Sequence, residues 1–391
     1  MTRFIKVMRK VIVMSLIFGC SHSFAQAIEL NISYLTLTKK QSSALANVLK
    51  EPEGSGYYGA VLAINDSHTT GKFLKQHFNL NHFSFKNEEK LLQQLQSRYE
   101  LGEFIFLLDV PLSLLNQANT WAKEKQVLLF NVSESADILR SSQCLDAVLH
   151  TVPSNAMRAD ALAQWLLYRR LNKVLLISGK KGQDLQLTKS FKRSAKRFGL
   201  KIIEEKQWDF NTDLRRSAQS EIPLFTQTRQ PYDVTYVADK SKDFAEYLPF
   251  NTYLPRPVIG SAGLEALSWH QVIEQWGAIQ LQNRFQRLAK RPMNEIDFSA
   301  YLGVRSVAQA LHKINVISPK KLINYIRSPA FELAAYKGRK LSFRSWNGQL
   351  RMPMALIQPH ALVSQSPQSG VLHPTTELDT LGFDFNESKC Q

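Results

Sequence analysis

Cysteine is scarce, three residues in 391, and no C-x-x-C pair occurs. That excludes a scaffold built on disulfides and leaves a zinc site without support. The nine histidines are scattered, and the nearest two, His77 and His82, are five apart and so off any shared helical face. G-x-S-x-G, the P-loop and H-E-x-x-H are all missing. With no nucleophile, dinucleotide loop or metal set to assemble, the chain is not expected to be an enzyme or to carry a cofactor. Acid is short as well: 33 Asp plus Glu stand against 49 Lys plus Arg, for a formal charge of +16. The excess does not gather into one long block and no basic recognition helix stands out, so no nucleic-acid partner is expected.

The basic residues Arg3, Lys6, Arg9 and Lys10 precede the apolar run Val11 to Phe18, which reaches about half of the ~20 residues a membrane span needs. Small and polar residues follow. This is the pattern of a secretory signal occupying residues 1–25, with Ser23-Phe24-Ala25 before the cut. A lipoprotein with Ile17-Phe18-Gly19-Cys20 as lipobox is the alternative, into which Phe18 fits poorly. Either way the chain is exported, with the periplasm as its expected location. Cleavage removes four basic residues and no acid, taking +16 to +12. Cys144 and Cys390 then remain, and they read either as a disulfide or as two unrelated buried thiols.

With 44% hydrophobic and 10% aromatic residues, the remainder has the balance of a folded protein, and its length suits two domains. Ile28 to Leu37 alternates as a strand. Helix Tyr57 to Ile64, strand Leu80 to Phe85, helix Glu88 to Tyr99, strand Phe104 to Leu108, helix Leu112 to Lys125 and strand Val127 to Phe130 follow. Such alternation is the signature of a parallel sheet covered on both faces. The pattern restarts after Pro153, where Ser154 can cap a helix with Ala159, Leu162, Ala163 and Leu166 on one face. Strands Lys173 to Ile177, Leu200 to Glu204, Tyr232 to Ala238 and Pro257 to Gly260 make a second α/β lobe, with a helix from Asp184 to Phe198. The basic stretch Lys189 to Arg197 reads as a solvated face of that helix. Ser268 to Leu288 and Asp297 to Ile314 read as long helices. Trp269, Trp276 and Phe285 on the first of them are either core packing or the aromatic wall of a cleft. In the tail, Lys340 to Arg344 and Met354 to Ile357 are extended, with Trp346-Asn347-Gly348 as a turn.

Open α/β sheets bind ligands beyond the carboxyl ends of their strands. Asp109-Val110-Pro111 and Asn131-Val132-Ser133 lie there, and Asp239 follows the strand ending at Ala238. Gly179-Lys180-Lys181-Gly182 joins a strand to a helix, as an anion site at a helix N-terminus or as an ordinary tight turn. Asp137 and Arg140 form either a charged rim or a structural ion pair.

Tyr58 to Gly71 (YGAVLAINDSHTTG), His150 to Leu162 (HTVPSNAMRADAL) and Tyr336 to Met354 (YKGRKLSFRSWNGQLRMPM) resemble the first helix, the crossing between lobes and the final turn-and-strand segment of the type I periplasmic binding proteins, in their leucine-binding-protein-like branch. A narrower resemblance lies in Leu139-Arg140 with Cys144, Arg197-Phe198-Gly199, Glu221 to Thr226 (EIPLFT), Leu254 to Val258 (LPRPV), Gln275 to Ala278 (QWGA) with Gln280 to Phe285 (QLQNRF), and Leu378 to Phe383 (LDTLGF). These runs look like the ABC-transporter substrate-binding proteins associated with PQQ-dependent alcohol dehydrogenase systems.

The resemblance implies a two-lobed α/β fold, each lobe a mostly parallel sheet with helices on both faces and a ligand cleft between them. Residues 27–153 plus 261–335 would form lobe 1, and 154–260 plus 336–391 lobe 2. Hinges are expected near Val152 to Ser154, near Gly260 to Gly263 and between Ala335 and Gly338. The implied function is to bind a small solute by hinge closure and deliver it to an inner-membrane ABC permease. A periplasmic PQQ-dependent dehydrogenase is a further implied partner. The alternative is an accessory or sensor protein of that dehydrogenase system, without transport. The resemblance places Asp109, Asn131 and Ser133 of lobe 1, and Lys180, Lys181 and Asp239 of lobe 2, at the ligand, with Ser133 supplying a hydroxyl. The receptors commonly show a tyrosine where Lys180 and Lys181 stand, which points to a more anionic ligand than an amino acid. A Cys144–Cys390 bridge would pin the tail to a loop near the cleft.

Overall fold

The computed structural model describes residues 27–38, 51–209 and 214–390. The expected leader, residues 1–25 with Cys20, lies outside them. Lobe 1 begins with β1 (Ile28–Leu37), α1 (Tyr57–Leu74), β2 (Gln76–Phe85), α2 (Glu88–Glu100), β3 (Ile105–Asp109), α3 (Leu112–Ala122), β4 (Leu128–Asn131), the short α4 (Ile138–Ser141) and β5 (Val148–His150). Its five strands are parallel in the order β2-β1-β3-β4-β5. Every residue of β3 is buried, as a central strand covered on both faces requires.

Lobe 2 holds α5 (Asn155–Arg169), β6 (Lys173–Ser178), α6 (Gly182–Arg197), β7 (Lys201–Gln207), α7 (Leu214–Phe225), β8 (Val234–Ala238) and β9 (Val258–Gly260). Its sheet is parallel in the order β7-β6-β8-β9. Ser154 caps α5, its hydroxyl accepting from the Met157 amide. After β10 (Glu265–Leu267) the chain returns to lobe 1 as α8 (Ala278–Ala289), α9 (Glu295–Ile314) and α10 (Pro319–Arg327), then as the two-residue strands β11 (Leu333–Ala334) and β12 (Lys340–Leu341). Strands β13 (Met354–Gln358) and β14 (Ala361–Ser366) pair antiparallel beside β10.

Three expectations change. The helix read from Ser268 starts only at Ala278, because Trp276 (φ 55°) and Gly277 (φ 81°) are both left-handed and break any helix there. Trp269 therefore sits on the crossing segment, while Phe285 packs in the core from α8. The basic stripe on α6 is solvated only in part: Arg193 and Arg197 turn to Asp160, a fully buried carboxylate that also accepts from Ser194 and the Gly382 amide. Finally, Gln349 bridges His150 at the edge of β5, so residues 336–350 continue lobe 1 and the last crossing falls after Leu350 rather than between Ala335 and Gly338.

Gly54-x-Gly56-x-x-Gly59 opens α1 with the spacing of a dinucleotide loop, yet these glycines serve packing. A Cβ on Gly56 would lie 2.0 Å from the Tyr34 hydroxyl, and one on Gly59 would lie 1.9 Å from the Asp297 carbonyl oxygen of α9. Asp297 is fully buried and gathers the Gly56 amide, the Arg291 guanidinium and the Asn294 amide, locking α1 to the start of α9.

Candidate functional site

Between the lobes lies a cleft of about 880 Å³. The strand-end loops at Asp109–Pro111 and Ser133–Ser135 form its lobe 1 wall with the entry of α9; Asn155, Arg158, Gln183, Leu187 and Lys240 form the opposite wall. An inner compartment of about 220 Å³ continues from it past Asn155, Arg158 and Leu267 to Tyr236, Asp239 and Glu265.

Of the residues expected at the ligand, Asp109 and Ser133 line the main cleft and Asp239 lines the inner compartment. Asp109 Oδ2 accepts from Thr36 Oγ1 at 3.2 Å and Tyr34 Oη at 3.3 Å. Burial, with Asp109 behind it, holds the Tyr34 phenol well above its usual pKa.

Asn131 is fully buried and does not line the cleft; it shapes the loop that does. Its Oδ1 accepts from the Ser133 and Glu134 amides, and its Nδ2 donates to the Glu134 carbonyl and lies 2.9 Å from His150 Nδ1. Burial first, then Arg140 and Arg327, push the His150 pKa far down, so the ring is neutral and Nδ1 accepts from Asn131.

Lys180 and Lys181 also stay off the cleft wall. Lys180 pairs with Asp209, and Lys181 pairs with Asp243 and donates to Ser241 Oγ at 3.2 Å. The helix N-terminus beside them is filled by the chain's own Asp184, whose two oxygens accept from the Lys181 and Lys240 amides. The segment is a strand-to-helix turn, and both lysines lie outside the lining of the cleft.

Asp137 and Arg140 do not pair. Asp137 reaches across to lobe 2, where it accepts from the Ala156 amide at 2.8 Å and from Ser190 Oγ at 2.5 Å. Burial pushes its carboxyl up in pKa against those two hydrogen bonds and Arg140. Arg140 instead donates to Gln349 and to the carbonyls of Glu134, Ala136 and Val152. Cys144 and Cys390 form a disulfide with a Cα–Cα distance of 5.3 Å.

Several lining residues escaped the sequence reading. Arg158 Nη1 donates to both oxygens of Glu295, at 2.9 Å each, and to the Ala266 carbonyl. Burial raises the Glu295 pKa, but Arg158 and the amide and hydroxyl of Ser268 outweigh it and hold the carboxyl below its usual value. Trp269, 1% exposed, lines the cleft and stacks on Phe298 with centroids 4.5 Å apart. Beneath it Lys337 donates to the Ser268 carbonyl and sits 5.7 Å from the Trp269 ring centroid and 5.1 Å from that of Phe298. Burial lowers its ammonium pKa to about 7. In the sequence Arg158 was visible as a helix residue one turn past the Ser154 cap; nothing local marked Glu295 as its partner.

Among the described residues no His/Cys/Asp/Glu group could hold a metal, and no helix is long and apolar enough to cross a membrane. No family model matches the chain, and no curated protein matches it significantly. Among solved structures, a periplasmic binding protein from Burkholderia mallei superposes with a TM-score of 0.66 at 14% identity, over 93% of this chain and 99% of that one. The fold is that of the two-lobed periplasmic binding proteins. A leucine-, isoleucine-, valine-, threonine- and alanine-binding protein from Brucella ovis, in a closed conformation, matches with a TM-score of 0.66 at 14% identity, over 92% of this chain and 95% of the other. A solute binding protein of an ABC transporter from R. palustris, in complex with benzoate, gives 0.61 at 14% identity over 86% and 95%. In this fold the cleft of the present chain lies beyond the carboxyl ends of β3 and β4 in lobe 1 and of β6 and β8 in lobe 2.

Proposed function

We propose that the chain is a periplasmic solute-binding protein of an ABC transporter, which takes up a small solute between its lobes and hands it to a membrane permease. The observation that carries this reading is the cleft of about 880 Å³ bounded by both lobes, with strand-end loops on one wall and helix starts on the other. A ligand touching both walls stabilises the closed arrangement by whatever it binds there and not in the open one. Groups that already cross between lobes, Asp137 to Ala156 and Arg158 to Glu295, are the natural stops of that motion. The link to a PQQ-dependent alcohol oxidation system rests on the sequence runs quoted above.

A thermal-shift screen of the mature chain against amino acids, short-chain alcohols and acids, aromatic acids and PQQ tests the reading, since a ligand of the folded state raises the melting temperature. A dose-dependent rise with one class supports it. No shift across the panel, together with a stable complex with the dehydrogenase, favours an accessory role instead.

A further inference from the structure

Beyond its last crossing the chain meets the boundary between the lobes once more, at the C-terminal tail. Up to Glu387 the tail is laid on lobe 2. Ser366 Oγ donates to the Ala161 carbonyl and the Gln368 amide to Gln164 Oε1, both on α5 and both at 2.9 Å. The Gly382 amide donates to the buried Asp160 at 2.8 Å, and Arg193 of α6 donates to the Gly382 carbonyl at 2.9 Å and to Glu387 at 2.5 Å. The next residues are on lobe 1. Ser388 Oγ donates to the Arg140 carbonyl at 3.0 Å, the Lys389 amide donates to the Ser141 carbonyl at 2.6 Å, and Cys390 is bonded to Cys144. Arg344, which stands before the last crossing, holds the middle of the tail by donating to the Leu381 carbonyl at 2.7 Å and the Phe383 carbonyl at 3.1 Å. A chain end held by two hydrogen bonds would fray, because each contributes only about 0.5–1.5 kcal/mol and chain ends stay ordered only when tied down. The disulfide makes this contact with lobe 1 permanent.

Resting on the reading of the chain as a receptor that closes about a hinge, we infer that the Cys144–Cys390 bridge turns the tail into a strap. It is a fourth covalent crossing, which limits how far lobe 2 can move from α4 of lobe 1. The strap biases the free protein toward the arrangement in which Asp137 of lobe 1 meets Ala156 and Ser190 of lobe 2. Reduction of the bridge releases it, so the range of lobe motion depends on the oxidation state of these two cysteines.

Ala156 reports on the motion directly. It is the second residue of α5, where an amide has no carbonyl of its own helix to bond, and its partner is Asp137 Oδ1 across the lobe boundary at 2.8 Å. Amide hydrogen exchange, resolved by residue, compares the oxidised mature protein with the reduced protein and with a chain ending at Ser388. That last chain loses Cys390 and keeps the tail's contacts with α5 and α6. Exchange at Ala156 is expected to rise about tenfold or more in both unbridged forms, with little dependence on added urea, as for an opening that exposes little surface. Exchange at the amides of β3 follows the steeper urea dependence of global unfolding and serves as the reference. Glu387→Gln in the oxidised protein loosens the strap at its lobe 2 end with the bridge intact; a smaller rise at Ala156 is expected there, and it supplies the readout should the unbridged chains fail to fold. An Ala156 amide that exchanges at the parent rate in every folded variant overturns the inference. So does one that accelerates only with the urea dependence of β3. No solute enters the measurement, so either result leaves the solute-site reading standing, to be decided by the thermal-shift panel.

Discussion

Arg158 on α5 of lobe 2 grips Glu295 at the start of α9 in lobe 1, one guanidinium nitrogen lying 2.9 Å from each carboxylate oxygen. Glu295 also accepts from the amide and hydroxyl of Ser268, on the segment crossing between the lobes. One carboxylate thus ties both lobes and a connection.

Glu295→Gln removes the charge but keeps the shape, leaving Arg158 partly buried without its counter-ion. A loss of about 1–3 kcal/mol in unfolding free energy is expected, below the figure for a fully buried pair because both side chains retain some exposure. A double-mutant cycle with Arg158→Met in urea denaturation measures it; a coupling near zero would show that the pair contributes nothing.

Lys337 carries a pH dependence whose sign follows from its depressed pKa, about 7 against an ordinary 10.5. Between those values the unfolded chain binds a proton that the folded chain does not. Stability therefore falls as the pH drops from about 10 to about 7, by up to ~1.4 kcal/mol per unit, and levels off below. Lys337→Met abolishes this component and is the more stable protein at pH 6. Denaturation midpoints of both proteins from pH 6 to 9.5 check it; a difference that stays constant with pH refutes the assignment.

The disulfide joins residues 246 apart, and it closes a loop containing all of lobe 2. Reduction, or paired Cys144→Ser and Cys390→Ser substitution, should destabilise the chain by an amount whose chain-entropy ceiling is about 5 kcal/mol. It also releases Ser388 and Lys389 from the carbonyls of Arg140 and Ser141. Two reactive thiols in the native mature protein would contradict the bridge.

Gly59→Ala probes the contact between α1 and α9. The new methyl would meet the Asp297 carbonyl at 1.9 Å, and backbone cannot swing away as a flexible side chain would. A cost of about 1–3 kcal/mol or more is expected in urea unfolding. A variant as stable as the parent would mean that the helices separate at little cost.

Local pattern was enough where one element's needs are met by its own residues. The alternation of Ile28–Leu37, the apolar run of Phe104–Leu108 and the Ser154 cap of α5 were all legible, because strand pleat, full burial and helix start leave marks within a few positions. The start of α8 was not: Trp269, Trp276 and Phe285 keep near-helical spacing, while the left-handed Trp276 and Gly277 end that reading. α10 went unread despite Ser318-Pro319, a cap followed by a proline at the first helical position.

Composition and short-range pattern together established two α/β units, a scarcity of cysteine and the absence of a hydrolase or P-loop motif, since these are counts and local spacings. Which strand ends face the cleft followed from chain order. What fills the cleft wall was decided in three dimensions. Lys180 and Lys181 looked like ligand groups until Asp209 and Asp243 were placed beside them. Arg158 and Glu295 are 137 positions apart, as remote in sequence as they are close in space. Charge matching and burial are properties of pairs, and a sequence read one segment at a time carries no record of which pairs will meet.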